Sequence, residues 1–274
     1  MKDGNRLSRL LLDLRARGRR ALIPYFMAGD PDPRTTGRLV DAVVAAGADA
    51  VELGVPFSDP IADGPVNQRA GLRAMRHGMN LSRALDLVAE MRARSQVPFV
   101  FMTYYNLILH HGLDVFCRDA QAAGLDGVIV ADLPPEEGAA LVAEAGKVGL
   151  ATVFLLAPTS TEERIKAVVA ASTGFVYCVS LTGVTGVRDE LPPGVRELVV
   201  RIKRQTATPV CVGFGISRAE QAREIASVAD GVIVGSAIVR MIEEAPQAID
   251  RVGAFVHSLR EAIDQRDAAV DRPR

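Results

Sequence analysis

The chain has 274 residues, with Lys+Arg 32 against Asp+Glu 33 and a formal charge of −1. A hydrophobic share of 49% with 24% charged residues excludes a disordered chain, and the near-neutral balance lacks the basic footprint of a nucleic-acid binder. Cys117, Cys178 and Cys211 are too scattered for a disulfide framework or a metal cluster and read as core residues. No stretch reaches the roughly 18 uncharged apolar residues that a membrane helix needs.

In chain order, residues 1–20 come first. Leu7, Leu10, Leu11 and Leu14 fall on one face of a helix. The segment is arginine-rich but has neither a long apolar block nor a small-residue cleavage site, so it reads as a packing helix rather than a transit peptide, and the chain as cytoplasmic. Eight short apolar runs follow: ALIPYFMAG, ADAVELGVP, VPFVFMTYY, DGVIVADLP, ATVFLLAPT, TGFVYCVSL, TPVCVGFGI and ADGVIVGSA. Their near-continuous apolar character is that of parallel strands buried on both faces. Helical periodicity marks 35–46, 81–94, 113–123, 136–148, 161–171, 193–204, 218–227 and 237–263 between and after them. Strand–helix alternation repeated eight times with no low-complexity linker predicts a closed (β/α)8 TIM barrel rather than an open doubly wound sheet. We read 1–274 as a single TIM-barrel domain with an extra N-terminal helix and a flexible tail over 264–274.

Barrel chemistry sits at the C-terminal ends of the strands. Glu52 lies there, inside the apolar run AVELGVPF. Burial would raise its pKa and suit it to proton transfer, although a carboxylate held by backbone amides or an arginine fits the position equally. Asp59 and Asp63 lie in the following loop, PFSDPIADGPV, where an Asx cap is the simpler reading of either. Glycines cluster after strands six, seven and eight: the run LTGVTGV with Gly186, then Gly213 and Gly215, then Gly235 followed by Ser236. Backbone amides of such loops, with a helix N-terminus, commonly cradle a phosphate, and neither a P-loop nor a dinucleotide glycine motif occurs. Tyr25, Tyr104, Tyr177 and Phe214 fall near strand ends in a chain with no tryptophan, which suggests a flat apolar substrate part. The four histidines have no metal-like spacing.

These residues resemble the tryptophan synthase alpha chain family from about Leu7 to Ile263. The resemblance rests on PYFMAGDP (24–31), VELGVPFSDPIADGPVNQRA (51–70), FMTYYN (101–106), ADLPPEE (131–137), SLTGVTGVR (180–188), VGFGIS (212–217) and GSAIV (235–239). It implies a lyase cleaving indole-3-glycerol phosphate to indole and glyceraldehyde 3-phosphate by retro-aldol acid–base chemistry. By the same resemblance Glu52 is the acid–base residue and Asp63 the catalytic aspartate, with Thr185 hydrogen-bonding Asp63 when its loop closes. Tyr25, Tyr104, Leu155, Tyr177 and Phe214 would wall the substrate, and Gly186, Gly213, Gly215, Gly235 and Ser236 would hold its phosphate. The family also implies a beta chain that carries pyridoxal phosphate and meets Pro56, Asp59 and Pro60, in an alpha2beta2 assembly, with no cofactor in this chain. Asn67 departs from the family pattern, where an apolar residue is expected, as does Cys178, where tyrosine or leucine is common. A stand-alone lyase releasing free indole is the alternative within the family. A phosphate-sugar isomerase would leave the 51–70 block unexplained.

Overall fold

The computed structural model describes residues 5–179, 194–213, 215–244 and 248–265. Thr185, Gly186, Phe214 and most of the proposed tail lie outside the described residues. The strands are β1 (Ala21–Met27), β2 (Val51–Gly54), β3 (Phe99–Thr103), β4 (Gly127–Val130), β5 (Ala151–Leu156), β6 (Val176–Val179), β7 (Val210–Gly213) and β8 (Gly231–Val234). All pair in parallel, each with its sequence neighbour, and β8 closes onto β1. The expected barrel is therefore the observed one. Its strands are buried almost throughout, which is why each reads as a continuous apolar run.

The helices are α1 (Arg6–Ala16), α2 (Pro33–Ala45), α3 (Pro65–Arg76), α4 (Leu81–Arg92), α5 (Tyr105–His111), α6 (Leu113–Ala123), α7 (Ala139–Val148), α8 (Glu162–Ala171), α9 (Val195–Lys203), α10 (Ala219–Ala226), α11 (Ser236–Glu244) and α12 (Ala248–Asp264). Three differ from the sequence reading. The segment read as one helix over 237–263 is two, α11 and α12, with Pro246 in the intervening sequence, a residue that does not continue a helix. Helix α3 occupies part of the block read as loop. Its signal was present: Pro65 at the first turn and Val66, Ala70 and Ala74 buried at four-residue steps. Helix α5 has seven residues and one buried anchor, Ile108, which is too little to register as a period.

Helix α1 packs under the barrel. The Asn5 side chain accepts from the N–H groups of Leu7 and Ser8, and its amide donates to the carbonyls of Asp126 and Gly149, both at 2.7 Å. Leu7, Leu11 and Leu14 are buried as their spacing requires. A Cβ on Gly127, at the start of β4, or on Gly174, just before β6, would come within 3.1 Å of a Leu7 methyl, so both glycines make room for this side chain. Asp126 draws the same end together, accepting from Arg6 (2.5 Å), Arg92 (2.6 Å) and the Phe99 N–H (2.9 Å). Leu7→Ala is expected to lower the unfolding free energy by about 2–4 kcal/mol, measured by urea denaturation. A loss below about 1 kcal/mol would mean that the helix is not integral to the core.

Register places the chemistry. Tyr25 pairs with Glu52, Glu52 with Val100, Val100 with Gly127 and Gly127 with Ala151, so this register row descends from Tyr25 and Glu52 toward Gly127 and Ala151 at the α1 end of the barrel. Paired residues of parallel strands point to the same face. Within this row Glu52 has a tyrosine on one side and only apolar or small residues, Val100, Gly127 and Ala151, on the other.

Candidate active site

Glu52 is 1% exposed, and neither of its carboxyl oxygens has a hydrogen-bond partner among the described residues. The alternative in which backbone amides or an arginine hold it is therefore not what is found. A buried carboxylate without donors is poorly stabilised, and the proton is retained instead. Burial, with a smaller contribution from the charge of Asp63, pushes the Glu52 pKa from 4.5 up to about 8. A carboxyl group titrating there can both give and take a proton near neutral pH.

Asp63 lies in the loop between β2 and α3, and its side chain is not a helix cap. Helix α3 begins at an N-cap glycine, Gly64, with no side-chain cap bond. Tyr104 donates its hydroxyl to one oxygen of Asp63 at 2.9 Å, and the Asn67 amide donates to the other at 3.4 Å. The Tyr104 hydroxyl itself accepts from the Ala62 N–H at 3.1 Å, and the Gln68 amide donates to the Asp63 carbonyl at 2.9 Å. Burial raises the Asp63 pKa, and the hydrogen bonds from Tyr104 and Asn67 oppose that rise. Two carboxyl groups thus face the same end of the barrel in different surroundings. Among the described residues Glu52 has no donors, which favours its acid form, whereas the donors around Asp63 favour the charge.

Tyrosines enclose them. Tyr25 and Tyr177 are buried, and desolvation followed by nearby carboxylate charge drives both phenols well above their ordinary range, so they remain neutral hydroxyls. Tyr25 feels both Glu52 and Asp63, and Tyr177 feels Glu52, which places the five groups in one cluster with Tyr104. Leu155 pairs with Tyr177 across β5 and β6. Phe57 packs against Tyr104 with ring centroids 5.1 Å apart.

The glycines after the strands divide by environment. A Cβ on Gly213 would collide with the Tyr177 hydroxyl and ring, and one on Gly235 would lie 2.9 Å from the Tyr25 ring. Both residues make space for the aromatic wall, a reason that the strand-end pattern did not reveal. Gly54 does the same for Tyr25 and was missed by sequence reasoning, because nothing in the sequence says which side chain crosses it. Gly215 faces open space. Ser236 opens α11, and Gly235 supplies the carbonyl that the Val239 N–H reaches at 3.1 Å. The N–H groups of that first turn lack intrahelical acceptors and carry the positive end of the helix dipole.

Of the three residues expected to meet a partner, Asp59 is exposed and Pro60 half-buried, but Pro56 is buried, near Gly71. Ile61, 84% exposed beside Pro60, is an apolar side chain on this surface that the sequence analysis did not single out. Among the described residues no group of three or more His, Cys, Asp or Glu side chains could hold a metal ion.

A profile of the family described as "Tryptophan synthase alpha chain" matches residues 11–266. The chain belongs to the tryptophan synthase alpha chain family. It is 49% identical over 261 residues to the alpha chain of Geobacter sulfurreducens, covering 94% of this chain and 99% of that one. To the alpha chain of Solibacter usitatus it is 50% identical over 239 residues, covering 87% and 90%. The fold is similar to that of the tryptophan synthase alpha subunit from Legionella pneumophila, with a TM-score of 0.89 at 39% identity and coverage of 96% of this chain and 100% of the other. A Mycobacterium tuberculosis tryptophan synthase gives 0.88 at 40% identity, covering 95% and 99%. Membership extends across the whole described barrel, so the alpha-chain family is the frame for the site above. No helix of the described residues is long and apolar enough to cross a membrane.

Proposed function

We propose that this chain is the alpha subunit of a tryptophan synthase: a single barrel domain that cleaves indole-3-glycerol phosphate to indole and glyceraldehyde 3-phosphate. The observation that carries the mechanism is a buried glutamic acid, without donors among the described residues and titrating at about 8, in one cluster with an aspartate whose charge is supported by donors.

Glu52, as the acid, gives its proton to indole C3. The ring becomes an indolenine with positive charge at nitrogen, and Asp63 accepts the N–H hydrogen bond and stabilises that charge. The carboxylate left on Glu52 then takes the proton of the hydroxyl on the adjacent side-chain carbon. As that oxygen becomes an aldehyde, the bond to C3 breaks and its electron pair returns to the ring, restoring neutral indole. Glu52 ends protonated, as it began. Tyr25, Tyr104, Leu155 and Tyr177, with Phe214, wall the ring and side chain. The phosphate rests on Gly213, Gly215, Gly235 and Ser236 at the terminus of α11, with Gly186 completing the cradle. Thr185 would add a hydrogen bond to Asp63 on loop closure, which excludes water. Pro56, Asp59 and Pro60, with Ile61 beside them, form the surface offered to a beta chain. Pyridoxal phosphate belongs to that partner, and the chemistry in this chain needs no cofactor.

The test is indole release from indole-3-glycerol phosphate by the purified chain, alone and with a tryptophan synthase beta chain. Slow release that rises strongly with the partner is expected. Fast release indifferent to the partner would make the chain a stand-alone indole producer, and no release by folded protein would remove the lyase assignment. Tyr104→Phe gives a finer check. With one donor lost, burial weighs more heavily on Asp63 and its pKa climbs. The acid limb of the kcat/KM profile should move to higher pH, and turnover at pH 7 should fall about tenfold. An unmoved acid limb would detach Tyr104 from Asp63 in catalysis.

A further inference from the structure

Two arginines of α3 converge on carboxylates from two other elements. Arg73 donates from Nε and Nη2 to both oxygens of Asp30 at 2.7 and 2.8 Å, and from Nη1 to Glu243 of α11 at 2.8 Å. Arg69, one turn earlier, grips both oxygens of Glu243 at 2.7 and 2.8 Å. The Asp30 side chain, in the loop after β1, is fully buried, while those of Arg73 and Glu243 are each 24% exposed. The barrel is already closed by its strand ladders, so these bonds are not needed to shut it. What they add is a cross-link between α3 and α11.

Each of those helices carries one end of the proposed site. Helix α3 begins two residues after Asp63, and α11 begins at Ser236. Arg73 and Glu243 lie about two turns further along, roughly 11 Å at 1.5 Å per residue. Forked guanidinium–carboxylate pairs fix orientation as well as distance. Glu243 between two guanidiniums is held at about 2, so the link stays charged across the working pH range.

We propose that Arg73, Arg69 and Glu243 form a positioning device that sets the separation between Asp63 and the phosphate end at α11, and thereby selects ligands long enough to touch both. None of the three touches the reacting atoms. The inference rests on the proposed function, which places the indole nitrogen at Asp63 and the phosphate at Ser236.

The test uses ligands that span the two ends and ligands that do not. Glu243→Gln and Arg69→Met both leave the Asp30–Arg73 pair intact, so the buried carboxylate keeps its partner. Calorimetric titration would compare indole-3-propyl phosphate, which reaches both ends, with indole and with glycerol 3-phosphate, which each reach one. Glu243→Gln should weaken the spanning ligand about tenfold, and kcat/KM for indole-3-glycerol phosphate should fall in step. Indole and glycerol 3-phosphate should change less than about twofold, with the melting temperature within a few degrees of wild type. Arg69→Met should show the same pattern at smaller amplitude, and Glu243→Asp, which retains the charge on a shorter stem, should recover part of the loss. Equal weakening of all three ligands, or no weakening of any, overturns the inference. A wild-type chain that binds indole-3-propyl phosphate no more tightly than glycerol 3-phosphate would instead defeat the proposed function, and this inference with it.

Discussion

Glu52→Gln should lose at least about a thousandfold in turnover and yet give a more stable protein. The loss follows from chemistry. Glutamine is close in shape to protonated glutamic acid, but it neither delivers a proton to C3 nor takes one from the hydroxyl, so both transfers fail together. The gain in stability follows from burial. Glu52 titrates at about 8 when folded against 4.5 for the free side chain. The folded chain therefore binds this proton more tightly than the unfolded chain does, and stability falls as pH rises through that interval, then levels off above it. Glutamine has no such penalty. Wild type and variant should have similar stability near pH 5, with the variant ahead by roughly 3–5 kcal/mol at pH 9. Denaturant melts at the two pH values read the difference directly. A variant that retains turnover removes Glu52 from the mechanism, and a pH-independent stability difference removes its unusual titration. For the wild type, kcat/KM should decline above about pH 8 as the Glu52 proton is lost.

Asp63→Asn should reduce kcat by about a hundredfold or more while changing KM little. The amide oxygen of asparagine still accepts the indole N–H, so the ground state is held nearly as well. The missing element is negative charge opposite the cationic indolenine, which develops only on the way to the transition state. Single-turnover kinetics isolate that step from product release. The substitution should also shift the alkaline limb of kcat/KM below its wild-type position, because the charge of Asp63 contributes to the raised pKa of Glu52. A loss smaller than tenfold, or a stationary alkaline limb, would show that the two carboxyl groups do not act as a pair.

These expectations join residues that the chain keeps apart. Tyr104 and Asp63 are separated by 41 positions, and Glu52 meets Tyr25 only through strand register. In the sequence Glu52 was visible because a carboxylate inside an apolar strand is expensive to bury, and Asp63 because its block resembles that of one family. Their surroundings were not visible. The absence of donors to Glu52 among the described residues, and the reversal of Asp63 from a cap to an acceptor for Tyr104 and Asn67, depend on how the loop returns over the barrel mouth.

What the sequence determined by itself was the architecture. Strands buried on both faces must be apolar throughout, helices over a barrel must be apolar on one face, and eight such units in succession leave a closed parallel sheet as the compact solution. The N-terminal leucine spacing likewise settled which face of α1 is buried. Short or singly anchored helices such as α5 carry too few turns to stand out. What only the tertiary structure decided was proximity: which tyrosine crosses Gly54, Gly213 and Gly235, which donors reach Asp63, and that Arg73 holds Asp30 and Glu243 together. Periodicity is a local property that each segment carries within itself, whereas a pKa or a hydrogen bond depends on atoms supplied by distant segments, and those become neighbours only when the barrel closes.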